Sequence, residues 1–404
     1  MVALSLLPCL ALLAAPPAAP PAASASTPFM SWFHARAKQE GAYLITHFQL
    51  ELDGDGQDDD VVCYDFKQGV GTTLPVVLVG LASGERFALS GGGIGPGIMD
   101  RCPRPTRGGH PEVLTLGRSG TTGWSDTVSI RFDRHGPLLV ATSSGGRYHS
   151  ASLSLLAQRF SRLSREDLES AEEEDGSEER HRSEGAVVLA PGTESPASHP
   201  PVWVSWGRKH WSGKEDADLK VHAFRRGNTV TVVAQFQDDH VVAATDTSPK
   251  AILAADHLEL WWHERGQADG RSRPVQLGVA RTHEGIPVST WFRPPARKLS
   301  PPTARWVAPN QVEVDLPVAW VLPKARSEEE DPGASTGVPF TVVFSDSDGK
   351  GQETLVSTSD RLPGPYDYGL LAIAPEGRPF PALWGGAQHW ERVGKRTTLR
   401  SLVR

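Results

Sequence analysis

Residues 255 to 263 read A-D-H-L-E-L-W-W-H, and this stretch decides the fold of the C-terminal half of the chain. Side chains of a β-strand point alternately to opposite faces of the sheet. One face here carries Leu258, Leu260 and Trp262, and the other carries Glu259, Trp261 and His263. An apolar face opposite a mixed face is typical of a strand that covers a core with one side only. The stretch therefore predicts a strand of a β-sandwich, with its core on the apolar face.

The surrounding residues continue this pattern. Between Asp218 and Phe236, two alternating runs flank Gly227-Asn228, a pair typical of the turn in a β-hairpin. Further strand-forming runs lie at Val275–Ala280, Glu313–Leu316 and Phe340–Ser345. The region 200–404 is therefore predicted to be an antiparallel β-sandwich.

The N-terminal region, 26–163, is predicted to be all-β as well. Its short apolar runs, separated by turn residues, are Val61–Phe66, Pro75–Leu81, Glu85–Leu89, Val113–Leu116, Val128–Phe132, Leu138–Thr142 and Ser152–Leu156. The glycine-rich segment 91–97 lacks the following Gly-Lys-Ser/Thr of a phosphate-binding loop. Because no blade-like repeat recurs, a propeller is excluded, and a single β-sandwich-like domain remains.

An acidic segment separates the two regions. Residues 166–184 contain ten acidic side chains and two arginines, a net charge of −8, whereas the whole chain carries −7. The charge therefore belongs to a tether, and 164–199 is predicted to be a disordered acidic and Pro-rich linker. Neither flanking region has a basic patch, which argues against a nucleic-acid partner.

The N-terminus, 1–25, resembles a secretory signal peptide. Leu4–Ala15 is apolar but too short to span a membrane, and Ala23-Ser24-Ala25 fits a cleavage site, although no Lys or Arg precedes the apolar run. Lipidation at Cys9 is a weaker alternative. We expect a secreted, periplasmic or cell-surface protein with no transmembrane segment.

Two cysteines remain if the signal peptide is removed. Cys63 and Cys102 form either a disulfide bond, which an oxidising compartment would preserve, or two separate buried thiols. The chain has no C-x-x-C pair and no Cys/His cluster, so structural zinc is not expected.

Residues 51 to 62 read E-L-D-G-D-G-Q-D-D-D-V-V and predict a calcium loop. Carboxylates this close repel one another, and Ca²⁺, which takes six to eight oxygen ligands, resolves the repulsion. An EF-hand is excluded because its Glu at loop position 12 would fall on Val62. The loop, followed by a strand, resembles the D-x-D-G-D-G-x-x-D loops of the FG-GAP and VCBS families. The predicted ligands are the side chains of Glu51, Asp53, Asp55 and Asp59 and the backbone carbonyl of Gln57. The alternative is a solvated acidic turn without metal.

Five segments in the C-terminal region resemble, in the same order, the family-9 carbohydrate-binding modules and their DOMON-like relatives. They are the strand ending in Asp238-Asp239, the stretch 256–261, the segment 312–317 with Trp320 behind it, the run 340–348, and Gly369-Leu370-Leu371. The resemblance implies a β-sandwich that binds sugars, and structural calcium is frequent in that family. The acidic pairs Asp238/Asp239 and Asp346/Asp348 are either calcium ligands or plain strand-ending turns.

Four residues are candidate sugar contacts. The resemblance places the family's hydrogen-bonding carboxylate at Glu259 and further polar contacts on the strand of Gln276. Trp261 and Tyr366 are the candidate aromatic contacts. Family members with known sugar sites hold the ring between two tryptophans, and here 249–254 offers no aromatic residue and 361–368 only tyrosines. The alternative is an ordinary solvent-facing side of the sandwich.

No catalytic residues are predicted. The chain lacks a G-x-S-x-G turn and an H-E-x-x-H motif, and its paired carboxylates fall in turns and in the linker. We therefore expect a secreted, non-catalytic protein that binds a polysaccharide or cell-surface glycan, with a calcium-stabilised N-terminal domain. The alternative is a cell-surface structural or adhesion protein that keeps the sandwich fold without sugar affinity. Trp384 and Trp390, in the Gly/Pro-broken tail, are expected to dock back on the C-terminal sandwich.

Overall fold

The structure is a computed structural model that describes residues 26–66, 75–89, 102–106, 112–119, 125–134, 136–146, 149–163, 182–192, 199–264, 273–296, 299–321, 338–348, 351–361, 368–374, 376–377, 390–394 and 396–402. Nearly all regular structure in these ranges is β-strand. The all-β prediction is therefore confirmed. The signal peptide, the segment 91–97, Tyr366 and Trp384 lie outside the described residues.

The N-terminal region begins with helix α1 (Pro28–Glu40) and continues with ten strands. The strands are β1 (Ala42–Leu50), β2 (Asp59–Phe66), β3 (Val76–Gly80), β4 (Arg86–Leu89), β5 (Arg104–Thr106), β6 (Val113–Ser119), β7 (Ser125–Asp133), β8 (Gly136–Gly146), β9 (His149–Ser154) and β10 (Arg159–Leu163). Each strand predicted from the sequence overlaps one of these.

Helix α1 was not predicted, although its end signals are present in the sequence. Thr27 is the N-cap, and its hydroxyl accepts the backbone N–H of Met30 at 3.1 Å, with Pro28 in the first turn. Gly41 ends the helix in the left-handed conformation, with φ of 76°, and donates its N–H to the carbonyl of Ala37. The apolar side of the helix packs on the N-terminal sheet.

The C-terminal region contains thirteen strands and two short helices. The strands are β11 (Arg182–Ala190), β12 (Trp203–Trp206), β13 (Ala217–Arg226), β14 (Thr229–Asp238), β15 (His257–Glu264), β16 (Arg273–Arg281), β17 (Pro287–Arg293), β18 (Ala304–Ala308), β19 (Gln311–Pro317), β20 (Val338–Asp346), β21 (Thr354–Ser357), β22 (Leu370–Ile373) and β23 (Trp390–Arg392). The helices are α2 (Pro249–Leu253) and α3 (Val318–Val321), and a 3₁₀ helix lies at Arg400–Leu402.

The strands form three sheets. A five-stranded sheet has the order β1-β2-β3-β4-β23, and a four-stranded sheet has the order β13-β14-β19-β18. The largest sheet runs β17-β16-β15-β20-β22-β11-β10-β9-β8-β7-β6-β5, with β21 beside β20 and β12 beside β21. This sheet therefore passes through both regions of the chain.

Each region has its own apolar core. In the C-terminal sandwich, the four-stranded sheet packs against β15, β16, β20 and β22 around Leu260, Trp262 and Phe340. In the N-terminal domain, one face of the five-stranded sheet packs on β6 and β7 around Phe87 and Phe132. The opposite face of that sheet packs on α1.

A disulfide bond joins Cys63, in the buried strand β2, to Cys102, just before β5. Of the two alternatives that the sequence left open, the structure has the bonded one. The bond links two segments that are 39 residues apart, and it connects the five-stranded sheet to the start of the large sheet.

The boundary between the two regions differs from the prediction. Strand β11 lies inside the range 164–199 that the sequence assigned to a disordered linker; residues 164–181 lie outside the described residues. β11 pairs antiparallel with β10 and parallel with β22, and it thereby joins the two regions in one sheet. The continuous apolar run Ala186–Ala190 explains this outcome, because all five residues are buried and a strand covered on both faces needs such a run.

The C-terminal tail also differs from the prediction. Trp390 does not dock on the C-terminal sandwich. It lies in β23, which pairs with β4, and its ring meets Phe132 edge to face at a centroid distance of 5.0 Å. Leu399 and Leu402 pack in the core beside α1. The end of the chain is therefore part of the N-terminal domain. No helix among the described residues is long and apolar enough to span a membrane.

Candidate ligand site and acidic clusters

The two faces of β15 divide as the alternation in the sequence predicts. Leu258, Leu260 and Trp262 lie in the main core of the sandwich. Trp261 belongs to a separate small cluster with Val343, Leu355 and Tyr368, on the other side of the sheet. Glu259 and Trp261 are only 4% and 8% exposed. The solvent-facing alternative therefore does not describe these two side chains, because their neighbours cover them.

Glu259 is the centre of a buried hydrogen-bond network. Its carboxylate accepts the indole N–H of Trp261 at 2.6 Å and the amide N–H of Gln276 at 2.9 Å, and it pairs with His257 Nε2 at 3.0 Å. Burial alone would raise the pKa of Glu259, but the hydrogen bonds from these three partners and the charge of His257 outweigh it and lower that pKa. The carboxylate is therefore held in its charged form at neutral pH.

Strand register explains why these side chains meet. Trp261 is the cross-strand partner of Gln276 on β16, and Gln276 is in turn opposite Arg293 on β17. The exposed guanidinium of Arg293 lies 5.1 Å from the ring centroid of Trp261, a cation–π distance. Three adjacent strands therefore place an indole, an amide and a guanidinium in one row.

Tyr368 completes this face; the tyrosine predicted from the sequence was Tyr366. The ring of Tyr368 lies edge to face with His263 at 4.6 Å, and the side chain is buried. Burial raises the pKa of its phenol. The signal was available, because Tyr368 directly precedes Gly369-Leu370-Leu371. We call Glu259, Trp261, Gln276, Arg293 and Tyr368 the outer-face cluster.

The predicted calcium loop brings together only part of its expected ligand set. Carboxylate oxygens of Glu51, Asp53 and Asp55 lie within 4.8 Å of one another. Burial, together with the negative charges of Asp55 and Glu51, raises the pKa of Asp53. Gln57 is exposed, and its side-chain amide donates to Asp55 Oδ2 at 3.3 Å. These three carboxylates fit the oxygen donors that Ca²⁺ prefers.

Asp59 does not join this group in the structure. Its two carboxylate oxygens accept the backbone N–H groups of Leu52 at 2.9 Å and of Ala82 at 2.8 Å, and the side chain is fully buried. Burial raises its pKa to about 7. Asp59 therefore fastens the loop to the start of β2 and to the β3–β4 turn, a role that its position in the motif did not reveal.

A second group of carboxylates lies in the C-terminal sandwich. Oxygens of Asp238, Asp256 and Asp346 come within 4.8 Å of one another. The sequence pattern pointed to Asp238 and Asp346 with their neighbours Asp239 and Asp348, and Asp256 was not predicted to join them. The register of β15 on β20, where His257 faces Ser345, accounts for the meeting of Asp256 and Asp346.

Comparison with known proteins gives limited likeness. No protein-family model matches the chain, and no curated protein matches its sequence. Two solved structures match part of the chain: a family 9 carbohydrate-binding module from Caldicellulosiruptor kristjanssonii in complex with glucose and one in complex with cellotriose. Their sequence identities are 9% and 12%, and their TM-scores are 0.28 and 0.27. Each match covers 46% of this chain, and 95% and 93% of the respective module. These values are too low to carry an argument about the ligand of this chain.

Proposed function

We propose that this protein is an exported, non-catalytic carbohydrate-binding protein, and that its C-terminal sandwich binds a glycan at the outer-face cluster. The observation that carries the proposal is the charged, buried carboxylate of Glu259, held beside an indole and an amide on the face turned away from the core. A sugar ring is recognised by hydrogen bonds to its hydroxyls together with an aromatic face that covers its C–H groups. Trp261 supplies that face once the side chains that cover it, Arg293 and Tyr368, move aside.

The disulfide bond supports export. Disulfides persist in oxidising compartments and are rare in the cytosol. The signal-peptide pattern at 1–25 and the bond between Cys63 and Cys102 therefore agree on a secreted, periplasmic or cell-surface location. Ca²⁺ bound by Glu51, Asp53 and Asp55 would stabilise the N-terminal domain, and Asp59 would hold the loop in place.

The test is glycan binding by the whole chain. Full-length protein is applied to an array of neutral and acidic polysaccharides, with and without millimolar Ca²⁺, and Trp261→Ala is compared with Trp206→Ala, whose ring is 42% exposed on β12. Loss of a stacked indole should weaken binding on the order of fivefold or more. Equal binding by the two variants would remove the outer-face cluster from the proposal.

A second candidate is a cell-surface structural or adhesion protein without sugar affinity. The burial of Glu259 and Trp261 favours it, because two N–H donors and the His257 ring already occupy the carboxylate. In that case no glycan binds at any calcium concentration, and Glu259 serves the stability of the sandwich alone. The array therefore separates the two candidates.

Calcium binding by the N-terminal loop is tested by melting. A ligand that binds only the folded state stabilises it by RT ln(1 + [L]/Kd), about 2.7 kcal/mol at a hundredfold excess over Kd. Asp55→Ala should lose the share of the calcium-induced rise in Tm that the loop provides. Titration must reach millimolar metal, because extracellular calcium modules bind at about 10⁻⁴–10⁻³ M. If the calcium-induced rise in Tm were the same in Asp55→Ala as in the wild type, the loop would be an acidic turn without metal.

A further inference from the structure

Strand β1 (Ala42–Leu50) forms an open edge of the five-stranded sheet. On its inner side it pairs with β2, and no backbone hydrogen bond joins its outer side to another of the described residues. An edge strand presents a row of unpaired N–H and C=O groups that can pair with a further strand. β1 therefore offers an edge of nine residues to a partner.

Three consecutive side chains of β1 are large, apolar and exposed. Tyr43 is 39% exposed, Leu44 38% and Ile45 46%. Neighbouring side chains of a strand point to opposite faces of the sheet, so the exposure of all three shows that the edge itself is uncovered. The register of β1 on β2 shifts between Leu44 and Thr46, and Ile45 therefore has no cross-strand partner on β2. An exposed apolar edge of this kind indicates a surface that a partner covers.

The other long edges of the sheets are protected by charge. Among the edge strands of five residues or more that the structure describes, β13 carries Lys220, β17 carries Arg293 and β18 carries Arg305. Charged side chains on edge strands, lysine above all, keep soluble proteins from pairing edge to edge. β1 reads A-Y-L-I-T-H-F-Q-L and contains no Asp, Glu, Lys or Arg. The absence of this protection distinguishes β1 as a pairing surface.

The composition of β1 suits a second copy of the same strand. When two copies pair antiparallel about a two-fold axis, apolar side chains meet apolar side chains and no like charges of Asp, Glu, Lys or Arg oppose each other. The net charge of the chain does not prevent this approach, because residues 166–184 carry −8 of the total of −7, which leaves +1 for the rest. A charged peptide, in contrast, would find no opposite charge on β1.

The opposite edge of the sheet limits the pairing to two copies. There β23 covers β4, and β23 is only three residues long and carries Glu391 and Arg392. A short, charged edge strand is a poor template for a further strand. With one open edge in each five-stranded sheet, edge-to-edge pairing closes at two copies and does not continue into a fibre.

We propose that this protein forms a homodimer in which the β1 strands of two copies pair antiparallel about a two-fold axis at Ile45. The two five-stranded sheets then make one continuous sheet, and Ile45 packs against its own counterpart. The dimer brings two C-terminal sandwiches, and with them two outer-face clusters, into one particle. The pairing itself lies in the N-terminal domain and does not depend on sugar binding.

Sedimentation of the full-length chain over a range of micromolar concentrations measures the association. We expect a particle of two chains. Ile45→Lys should raise its dissociation constant on the order of tenfold or more, because two like charges then oppose each other at the axis. Val307→Lys is the matched control, since Val307 is 50% exposed at a register shift on the edge strand β18. This control should remain a dimer.

Complementary charges give a readout that only pairing at Ile45 produces. Ile45→Glu alone should also be a monomer, whereas an equimolar mixture of Ile45→Lys and Ile45→Glu should recover the particle of two chains. That recovery also shows that both variants are folded. Ile45→Cys, a milder change, should form a disulfide between two chains on oxidation, and Val307→Cys should not.

Three results would overturn the proposal. They are a wild-type chain that stays a monomer, an association that persists in Ile45→Lys, and an Ile45→Cys protein that forms no disulfide between chains. Association through the apolar residues 4–15 would persist in every variant, so it falls under the second of these results.

Discussion

At the residue scale, Glu259 shows how a charge is kept inside an all-β domain. An unpaired buried carboxylate would lose several kcal/mol of hydration or take up a proton. Here two donated N–H groups and the His257 ring replace the lost water. The same partners lower the pKa of Glu259, so the network stabilises the folded state only while the carboxylate is ionised.

The first prediction concerns Glu259→Gln. The amide weakens the charge-assisted hydrogen bonds, and we expect the free energy of unfolding at pH 7 to fall by about 1.5–3 kcal/mol. Because the folded-state pKa is lowered, the contribution of Glu259 is present above its unfolded pKa of about 4.3 and is lost as the pH falls through the folded value. The difference between variant and wild type should therefore shrink in acid.

Urea unfolding at pH 7 and at pH 3.5 measures this difference. Glu313→Gln, which alters an ion pair with the half-exposed Arg305, is the control and should cost less than about 1 kcal/mol. A cost for Glu259→Gln that is equal at both pH values would show that its charge does not matter.

The second prediction concerns the buried aspartates Asp59 and Asp346, whose pKa values are raised to about 7. Between about pH 4 and pH 7 the folded protein keeps protons that the unfolded chain has released. Stability in chelator should therefore fall as the pH rises through this window. Melting at pH 5 and pH 8 tests this, and Asp59→Asn and Asp346→Asn should each flatten the dependence. A Tm in chelator that increases from pH 5 to pH 8 would contradict it.

The sequence revealed the facing of β15 but not the burial of its outer face. The alternation of side chains along a strand depends only on neighbouring residues, so it correctly placed Trp261 and Trp262 on opposite faces of the sheet. The cover over Trp261 comes from Arg293 and Tyr368, which reach it through the pairing of distant strands. The same holds for Asp256, whose partners Asp238 and Asp346 come from other strand ends. Local sequence patterns do not reveal contacts between residues that are distant along the chain.

At the element scale, the strands β11 and β23 change the domain boundaries that the sequence predicted. β11 inserts between β10 and β22, and the approach is tight: a Cβ on Gly185 would lie 2.7 Å from the Cα of Gly369. Glycine at both positions therefore permits this close contact. β23 is only three residues long and pairs with β4 from far along the chain. A strand so short shows no detectable alternation of apolar residues. The C-terminal tail was therefore predicted to pack on the C-terminal sandwich, whereas it belongs to the N-terminal domain.

The third prediction tests the contribution of β23. Trp390→Ala removes a buried ring that packs on Phe132 in the core of the N-terminal domain. We expect a loss of about 3–5 kcal/mol in the stability of that domain. The exposed Trp206 is the control, and Trp206→Ala should change stability by less than about 1 kcal/mol. Calorimetry on both full-length variants measures the effect. If the two lose equally little, β23 is not part of the N-terminal core.

At the scale of the whole molecule, the two β regions are joined by more than one connection. The large sheet runs through both, a shared apolar cluster around Leu153, Leu189 and Leu370 lies at the junction, and the tail returns to the first domain. The acidic segment predicted to be a linker therefore lies between regions that also touch directly. Charge and composition predicted two independent domains joined by a flexible linker. That description is too simple, because the two domains also contact each other directly.

The fourth prediction follows from these connections. A glutamate-specific protease should cut first within 166–179, where acidic residues are dense and apolar periodicity is absent. The two pieces should not separate, because β11 remains paired with β10 on one side and β22 on the other, and β23 still completes the sheet of the other piece. Size exclusion without denaturant should give one particle of unchanged volume, and denaturing gels should show two fragments.

The nicked protein carrying Trp390→Ala should dissociate more readily, since it has lost one of the contacts that hold the pieces together. Fragments that separate at once from nicked wild-type protein would restore the picture of two independent domains.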